Sequence, residues 1–370
     1  MKILFVVQGE GRGHFTQALS LKCMLERNGH QVVDVLVGKS KARQLPDFFV
    51  KKINAPVHSF ESPNFLPTAK NKQASIIVSI LYNLLRVPVY LKSIYFIWKK
   101  IKESEADLVI NFYELLTGLT YGLFYPRAPY ICIAHQYLFL HPDFQFPEEN
   151  RSELLLLKFF TKMTSLGASR LLALSFRSMP SCPDKKLVVV PPLLRKEVLQ
   201  TEAFQGDYLH GYMVNSGFSE EVIHWHKKHP ELPLHFFWDK KNVEKETKAG
   251  DHLSFHTLDD DLFLQYMAGC KGYATTAGFE SVCEAMYFGK PVLLIPTHIE
   301  QACNAHDAAL SGAGVVAGEF DLDKLLTFLP QYRSNQAFHN WVLQSESVFM
   351  QELCLENDWM PYYAAAFSSL

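Results

Sequence analysis

The chain has 370 residues, which at roughly 150 residues per domain suggests about two domains, and its 48% apolar and 20% charged residues exclude a disordered protein. Thirty-six basic against 38 acidic side chains leave a net charge of −2, so no overall field draws the chain to nucleic acid or to an anionic membrane. Seven cysteines without CxxC spacing read as reduced thiols, the N-terminal apolar run is too short for a signal peptide, and the most lipid-like stretch, 75–85, is too short to span a bilayer before Arg86 and Pro88 interrupt it, so the expected location is cytoplasmic.

Residues 2–7 form a continuous β-rich apolar run. The loop Gln8-Gly9-Glu10-Gly11-Arg12-Gly13-His14 follows, then helical periodicity through Arg27 and the stop Asn28-Gly29. With a β-branched run over 31–37 these make one βαβ unit, which requires a parallel sheet. Two helices separated by Pro88 come next. The second carries Lys92, Lys99, Lys100 and Lys102 beside Ile94, Tyr95, Ile97, Trp98 and Ile101. Further strands fit 108–111, 130–134 and 187–190, and Pro191-Pro192 ends the last of them, which puts a domain boundary at 192.

The pattern then restarts. Strands are expected at 211–214, 234–238, 253–256, 272–275 and 292–295, with helices from Ser219 and over 261–269, 279–288 and 300–311. The expected fold class is therefore α/β, with two doubly wound halves over 1–192 and 193–340. Terminal helices over 341–370 would pack back toward the first half.

Three glycines before a helix start let a bound group approach the backbone, where exposed amides favour an anion or polar ligand. The spacing Gly9-x-Gly11-x-Gly13 departs from a dinucleotide fingerprint, and the candidate acid Asp34 falls in mid-strand. A tight strand–helix turn explains the loop equally well. His14 stands at the helix start, where neutral imidazole can take a proton from a hydroxyl.

The second half holds the richer constellation. In Thr275-Thr276-Ala277-Gly278-Phe279-Glu280-Ser281 a strand ends and Gly278 opens a helix whose free N–H groups can hold a diphosphate, with the Thr276 and Ser281 hydroxyls as further donors. Glu280 is explained by the helix dipole alone. Glu284, in mid-helix among apolar neighbours, could accept two hydrogen bonds from a ribose diol. Thr297-x-x-Glu300 matches a capping box, whereas Gln301 has no such explanation and would face the cleft. The acidic run Asp259-Asp260-Asp261 reads as caps rather than as a metal site.

Together the loop ending Gly13-His14, the helix Gly278…Glu284…Gly289-x-Pro291 and the sequence Glu300-Gln301-x-x-Asn304-Ala305 resemble nucleotide-sugar glycosyltransferases of the GT-B fold, in the branch that contains the peptidoglycan lipid II synthase. The resemblance implies two Rossmann-like domains facing a cleft, with the donor, most readily a UDP-sugar, held by the second. By motif, Glu284 would bind the ribose, and Ser216, Gly217, Gly278 and Phe279 the diphosphate. Arg195 would reach the phosphates, Leu258 the base, and Glu300 and Gln301 the sugar. His14 would lie at the reacting centre, with Glu114 or His135 as substitute bases; Gly11, Arg12, Gly13, Asn111 and Gln136 would line the acceptor side. This sequence has one glycine in the Asn215-Ser216-Gly217-Phe218 loop and the bulky Phe279 after the helix glycine.

The implied reaction is inverting transfer to a hydroxyl with no metal and no cofactor beyond the UDP-sugar co-substrate. A non-catalytic nucleotide-sugar-binding protein and a UDP-sugar epimerase remain the alternatives. The basic–aromatic surface over 76–102 could dock on anionic lipid at the inner face of the plasma membrane and present a lipid-linked acceptor. An ordinary core-facing helix pair and a small-molecule acceptor fit the same residues.

Overall fold

The computed structural model describes residues 1–41, 43–63, 82–149, 151–240 and 243–353. Residues 75–81 of the first of the two expected helices and the expected tail beyond 353 lie outside these residues. In the first half, β1 (Lys2–Gln8), α1 (Gly13–Arg27), β2 (Gln31–Lys39), α2 (Asp47–Ile53) and β3 (Val57–Glu61) are followed by α3 (Val87–Ser104), β4 (Leu108–Phe112), α4 (Leu115–Phe124) and β5 (Tyr130–Ala134). Then come α5 (Arg151–Thr164), β6 (Arg170–Leu174) and β7 (Leu187–Val190). The strands lie in the order β3-β2-β1-β4-β5-β6-β7, all parallel. The apolar runs of β1, β4 and β5 reflect this position, because a central parallel strand is covered on both faces.

The second half runs α6 (Lys196–Gln200), β8 (Leu209–Met213), α7 (Ser219–His226), β9 (Leu234–Trp238), β10 (Glu246–Gly250), β11 (Leu253–Thr257), α8 (Asp260–Gly269) and β12 (Gly272–Thr275). It continues with α9 (Phe279–Tyr287), β13 (Val292–Leu294), α10 (Ile299–Leu310), β14 (Gly314–Val316) and α11 (Leu322–Phe328). Its strand order is β10-β11-β9-β8-β12-β13-β14, parallel except for β10 against β11. Four strands escape the sequence pattern: β3, β6, β10 and β14. The edge strand β10 is polar and largely exposed and β14 is three residues long, so neither carries the apolar alternation that marks a strand.

In each sheet the strand order reverses beside a central strand, between β1 and β4 in the first and between β8 and β12 in the second. Ligands of open parallel sheets bind outside the carboxyl ends of the strands at such a reversal. The loops at these two points are Gly9–Arg12 and Tyr113–Glu114 in the first sheet, and Ser216–Gly217 and Thr276–Gly278 in the second.

The last two helices of the described residues, α12 (Gln336–Leu343) and α13 (Ser345–Leu353), lie against the first half. Trp341 Nε1 donates to the Ser175 carbonyl at 3.2 Å, Ser345 Oγ to the Pro192 carbonyl at 3.0 Å, and Arg27 pairs with Glu346 at 2.7 Å.

Candidate active site

The two reversal points touch each other directly. Arg12 reaches Asp260 at 2.7 Å, Gln17 Nε2 donates to Glu280 Oε1 at 2.5 Å, and Gln136 Nε2 donates to Glu300 Oε1 at 3.1 Å. The His135 ring stacks on Phe279 with centroids 4.6 Å apart and planes 5° from parallel. Phe279, the bulky residue after the helix glycine, thus packs against the first half, and Phe176 flanks it at 4.7 Å. Gly13 permits this approach, since a Cβ there would stand 3.0 Å from Glu280 Cγ. Gly9 has a different reason: its Cβ would lie 2.8 Å from the Gly38 carbonyl on the neighbouring strand. Nothing crowds Gly11.

His14, in the first turn of α1, is buried and stacks on Tyr113 at 5.9 Å. Its Nδ1 lies 3.1 Å from Gln17 Oε1. Burial, reinforced by the nearby His135, lowers its pKa to about 4, so the ring is neutral through the physiological range. His135 Nε2 comes within 3.3 Å of Glu300 Oε1, an ion-pairing distance without hydrogen-bond alignment. Burial alone would raise the Glu300 carboxyl, but His135 beside it and His298 bring it down to about 2.

Glu114 and Asn111 have structural duties. Glu114 is fully buried and caps α4, accepting from the Leu116 amide at 3.1 Å and from Ser62 Oγ at 2.6 Å, and burial pushes its carboxyl up to about 7. A Cβ on Gly38 would collide with its Oε2. Asn111 is also fully buried and donates to the carbonyls of Glu114 and Thr164, which ties β4 to α4 and α5. Neither side chain lines an open acceptor surface.

On the donor side, Gly278 begins α9 without any side-chain cap, so the first amides of the helix point outward. Ala277 just before it takes the left-handed conformation at φ 57°, as Tyr113 does at φ 62° at the matching point of the first sheet. Strained non-glycine backbone of this kind concentrates at functional sites. Ser281 Oγ turns back to the Gly278 carbonyl at 3.3 Å, and Thr276 is buried. Leu258 follows β11 directly and is packed against the core.

Three expectations need correction. Arg195 is engaged within the protein: its Nε and Nη2 hold Glu284 Oε1 and Oε2 at 2.7 and 3.1 Å, a two-pronged, largely buried ion pair against α9. The capping box at Thr297 does not form either. Gln301 Oε1 takes up the Thr297 amide at 2.9 Å and the Thr297 hydroxyl at 2.7 Å, while Glu300 reaches across to His135 and Gln136. Gln301 therefore fills the capping place expected of Glu300. Finally, the Gly217 amide is spent on Asn215 Oδ1 at 2.9 Å, so that loop offers Ser216 as its free donor side chain and not the Gly217 N–H.

Three residues outside the expected set belong to this centre, Gln17, Glu280 and Asp260. Gln17 could have been found from its place three residues after His14, which puts both on one face of α1. Asp259 caps α8 as the acidic run implied, accepting from the Leu262 amide at 3.0 Å. The described residues contain no cluster of three potential metal ligands.

A model of the family described as glycosyl transferase family 1 matches residues 1–332. No curated protein sequence matches the chain. Several solved structures are similar over almost the whole length. CalG4, the calicheamicin glycosyltransferase, is 14% identical with a TM-score of 0.60, covering 95% of this chain and 97% of its own. MurG of Acinetobacter baumannii is 15% identical at 0.54, covering 95% and 98%. UGT89C1 of Arabidopsis thaliana, complexed with UDP-L-rhamnose, is 13% identical at 0.58, covering 96% and 99%. At such identities the likeness is one of fold.

Proposed function

The chain belongs to glycosyl transferase family 1 and has the GT-B fold, and on that premise we propose that it is an inverting glycosyltransferase that moves a sugar from a UDP-sugar to a hydroxyl acceptor. The observation that carries this reading is the uncapped start of α9 facing His14 across the junction of the two halves, joined to it through Gln17 and Glu280. A solved structure of the same fold holds UDP-L-rhamnose, which supports the choice of nucleotide.

In the proposed reaction the diphosphate sits on the α9 amides, and the ribose hydroxyls donate to Glu284 with Arg195 keeping that carboxylate in place. The backbone at Leu258 meets the base. Thr276, Phe279, Ser281 and Ser216 complete the donor pocket, and Glu300, aimed into the junction, reads the sugar. The acceptor oxygen attacks the anomeric carbon, its proton passes to His14, and the bond to the diphosphate breaks with UDP leaving against the helix dipole. Gly11, Arg12, Gly13 and Gln136 border the acceptor side.

Helix amides carry the leaving-group charge in this scheme, so turnover needs no divalent ion. The test is UDP release from a panel of UDP-, dTDP- and GDP-sugars in EDTA, with and without simple alcohols as acceptors. UDP-sugars should turn over at the rate seen with Mg²⁺. A strict Mg²⁺ requirement contradicts the scheme, tight UDP binding without turnover favours a binding protein, and a converted UDP-sugar in place of UDP favours an epimerase.

A lipid-linked acceptor is the second part of the proposal. No helix among the described residues is long and apolar enough to cross a membrane. The outer face of α3 nevertheless exposes Leu91 and Tyr95 beside Lys92, Lys99 and Lys102, and the exposed Phe124 at the end of α4 lies 5.5 Å from the Trp98 ring of that helix. Lys100 is excluded from this face, since it turns inward to His58 at 3.2 Å and Asp34 at 4.0 Å. An apolar patch with a basic rim fits an anionic lipid surface. The chain should float with vesicles containing anionic lipid and less with neutral ones, and a Leu91→Ser/Tyr95→Ser/Lys92→Ser/Lys102→Ser variant should stay at the bottom of the gradient. Equal flotation of the two proteins removes the membrane idea.

A further inference from the structure

Gln17 connects the two halves of the centre through a single amide. Its Oε1 stands 3.1 Å from His14 Nδ1, and its Nε2 donates to Glu280 Oε1 at 2.5 Å. Burial raises the Glu280 carboxyl to about 8, and in the orientation the structure shows its Oε1 accepts that N–H in either protonation state. With the NH2 end committed to Glu280, the carbonyl end of Gln17 faces His14. A carbonyl oxygen only accepts, so the imidazole proton must sit on Nδ1.

We propose that Gln17 is the positioning residue that fixes His14 in its Nδ1–H tautomer, and that Glu280 of the second half fixes Gln17, so that the base acquires a free Nε2 lone pair only when the two halves are in contact. This deepens the functional reading above and rests on His14 being the base. The arrangement does the work that a carboxylate beside a catalytic histidine usually does, but splits it between domains: the neutral amide orients the ring, and the acid that orients the amide comes from the donor-binding helix. Gly13 belongs to the same device, because a Cβ there would stand 3.0 Å from Glu280 Cγ and press that side chain away from Gln17. The other titratable groups that face His14 are Tyr113, His135 and Glu300.

The experiment is ¹⁵N NMR of histidine-labelled full-length protein, combined with hydrolysis of whichever of UDP-glucose, UDP-galactose and UDP-N-acetylglucosamine the wild type turns over fastest. The His14 shifts should report an Nδ1–H tautomer in the wild type and a tautomer mixture in Gln17→Met, whose kcat should fall about 10- to 100-fold with KM nearly unchanged. The swapped pair Gln17→Glu/Glu280→Gln keeps both hydrogen bonds and sets a carboxylate on the ring. It should regain most of the lost kcat and move the acid limb of the pH–rate profile upward by about one unit or more, which a merely structural contact would not do. An Nε2–H tautomer in the wild type, or a Gln17→Met protein with unchanged tautomer and kcat, overturns the inference. The NMR result decides it even where no sugar nucleotide turns over, whereas absent turnover with the Nδ1–H tautomer intact counts against the functional reading alone.

Discussion

Replacing His14 by asparagine should lower transfer by about two to four orders of magnitude while leaving nucleotide affinity nearly unchanged. Asparagine retains a polar side chain of similar reach but cannot take a proton, and His14 touches the first half of the molecule rather than the donor helix directly. The pH profile should be distinctive. A solvent-exposed histidine base would lose activity as the pH falls through about 6.5. Burial holds the His14 pKa down at about 4, so the neutral, proton-accepting form persists and the acid limb should appear about two units lower. A rate within threefold of the wild type, or an acid limb near 6.5, would assign the proton transfer to another group.

The pair Arg195 and Glu284 should divide cleanly between stability and binding. Glu284→Gln preserves the shape of α9 but loses the charge that would strengthen the proposed hydrogen bonds to the ribose. UDP affinity should fall by about 2–3 kcal/mol, roughly 30- to 150-fold in Kd. Arg195→Met leaves a carboxylate buried without its partner and should cost about 3–5 kcal/mol of folding stability. The double variant Arg195→Met/Glu284→Gln should recover much of that stability without recovering UDP binding, because no uncompensated charge remains. Denaturant unfolding and UDP titration of the three proteins check this. Unchanged UDP affinity in Glu284→Gln would mean that the ribose lies elsewhere.

How much of this was legible in the sequence depends on whether the information was local. The βαβ opening, the glycine loop, the uncapped helix after Gly278 and the strands around them are written in apolar runs and punctuation that each segment carries by itself. The short edge strands β10 and β14 are defined by their neighbours in the sheet and leave little trace of their own. At the site the same division holds. His14, Gly278 and Glu284 stand out by residue type and place.

Pairings across the junction do not stand out. The capping pattern at Thr297 suggested Glu300 as the cap, yet Gln301 fills that place because Glu300 is drawn to His135 on the opposite half. Arg195 and Glu284, 89 positions apart, were each legible as charged groups near the donor and not as partners of one another. Glu280 was explained by the helix dipole, and its contact with Gln17 depends on how closely the two sheets approach.

The central claim is that the start of α9 holds a diphosphate whose sugar points at His14, and a crystal structure of the chain with UDP bound tests it most directly. The account predicts phosphate oxygens within hydrogen-bonding distance of the amides over 279–281, with the ribose hydroxyls on Glu284. Electron density for UDP anywhere else, with that helix start unliganded, would contradict it.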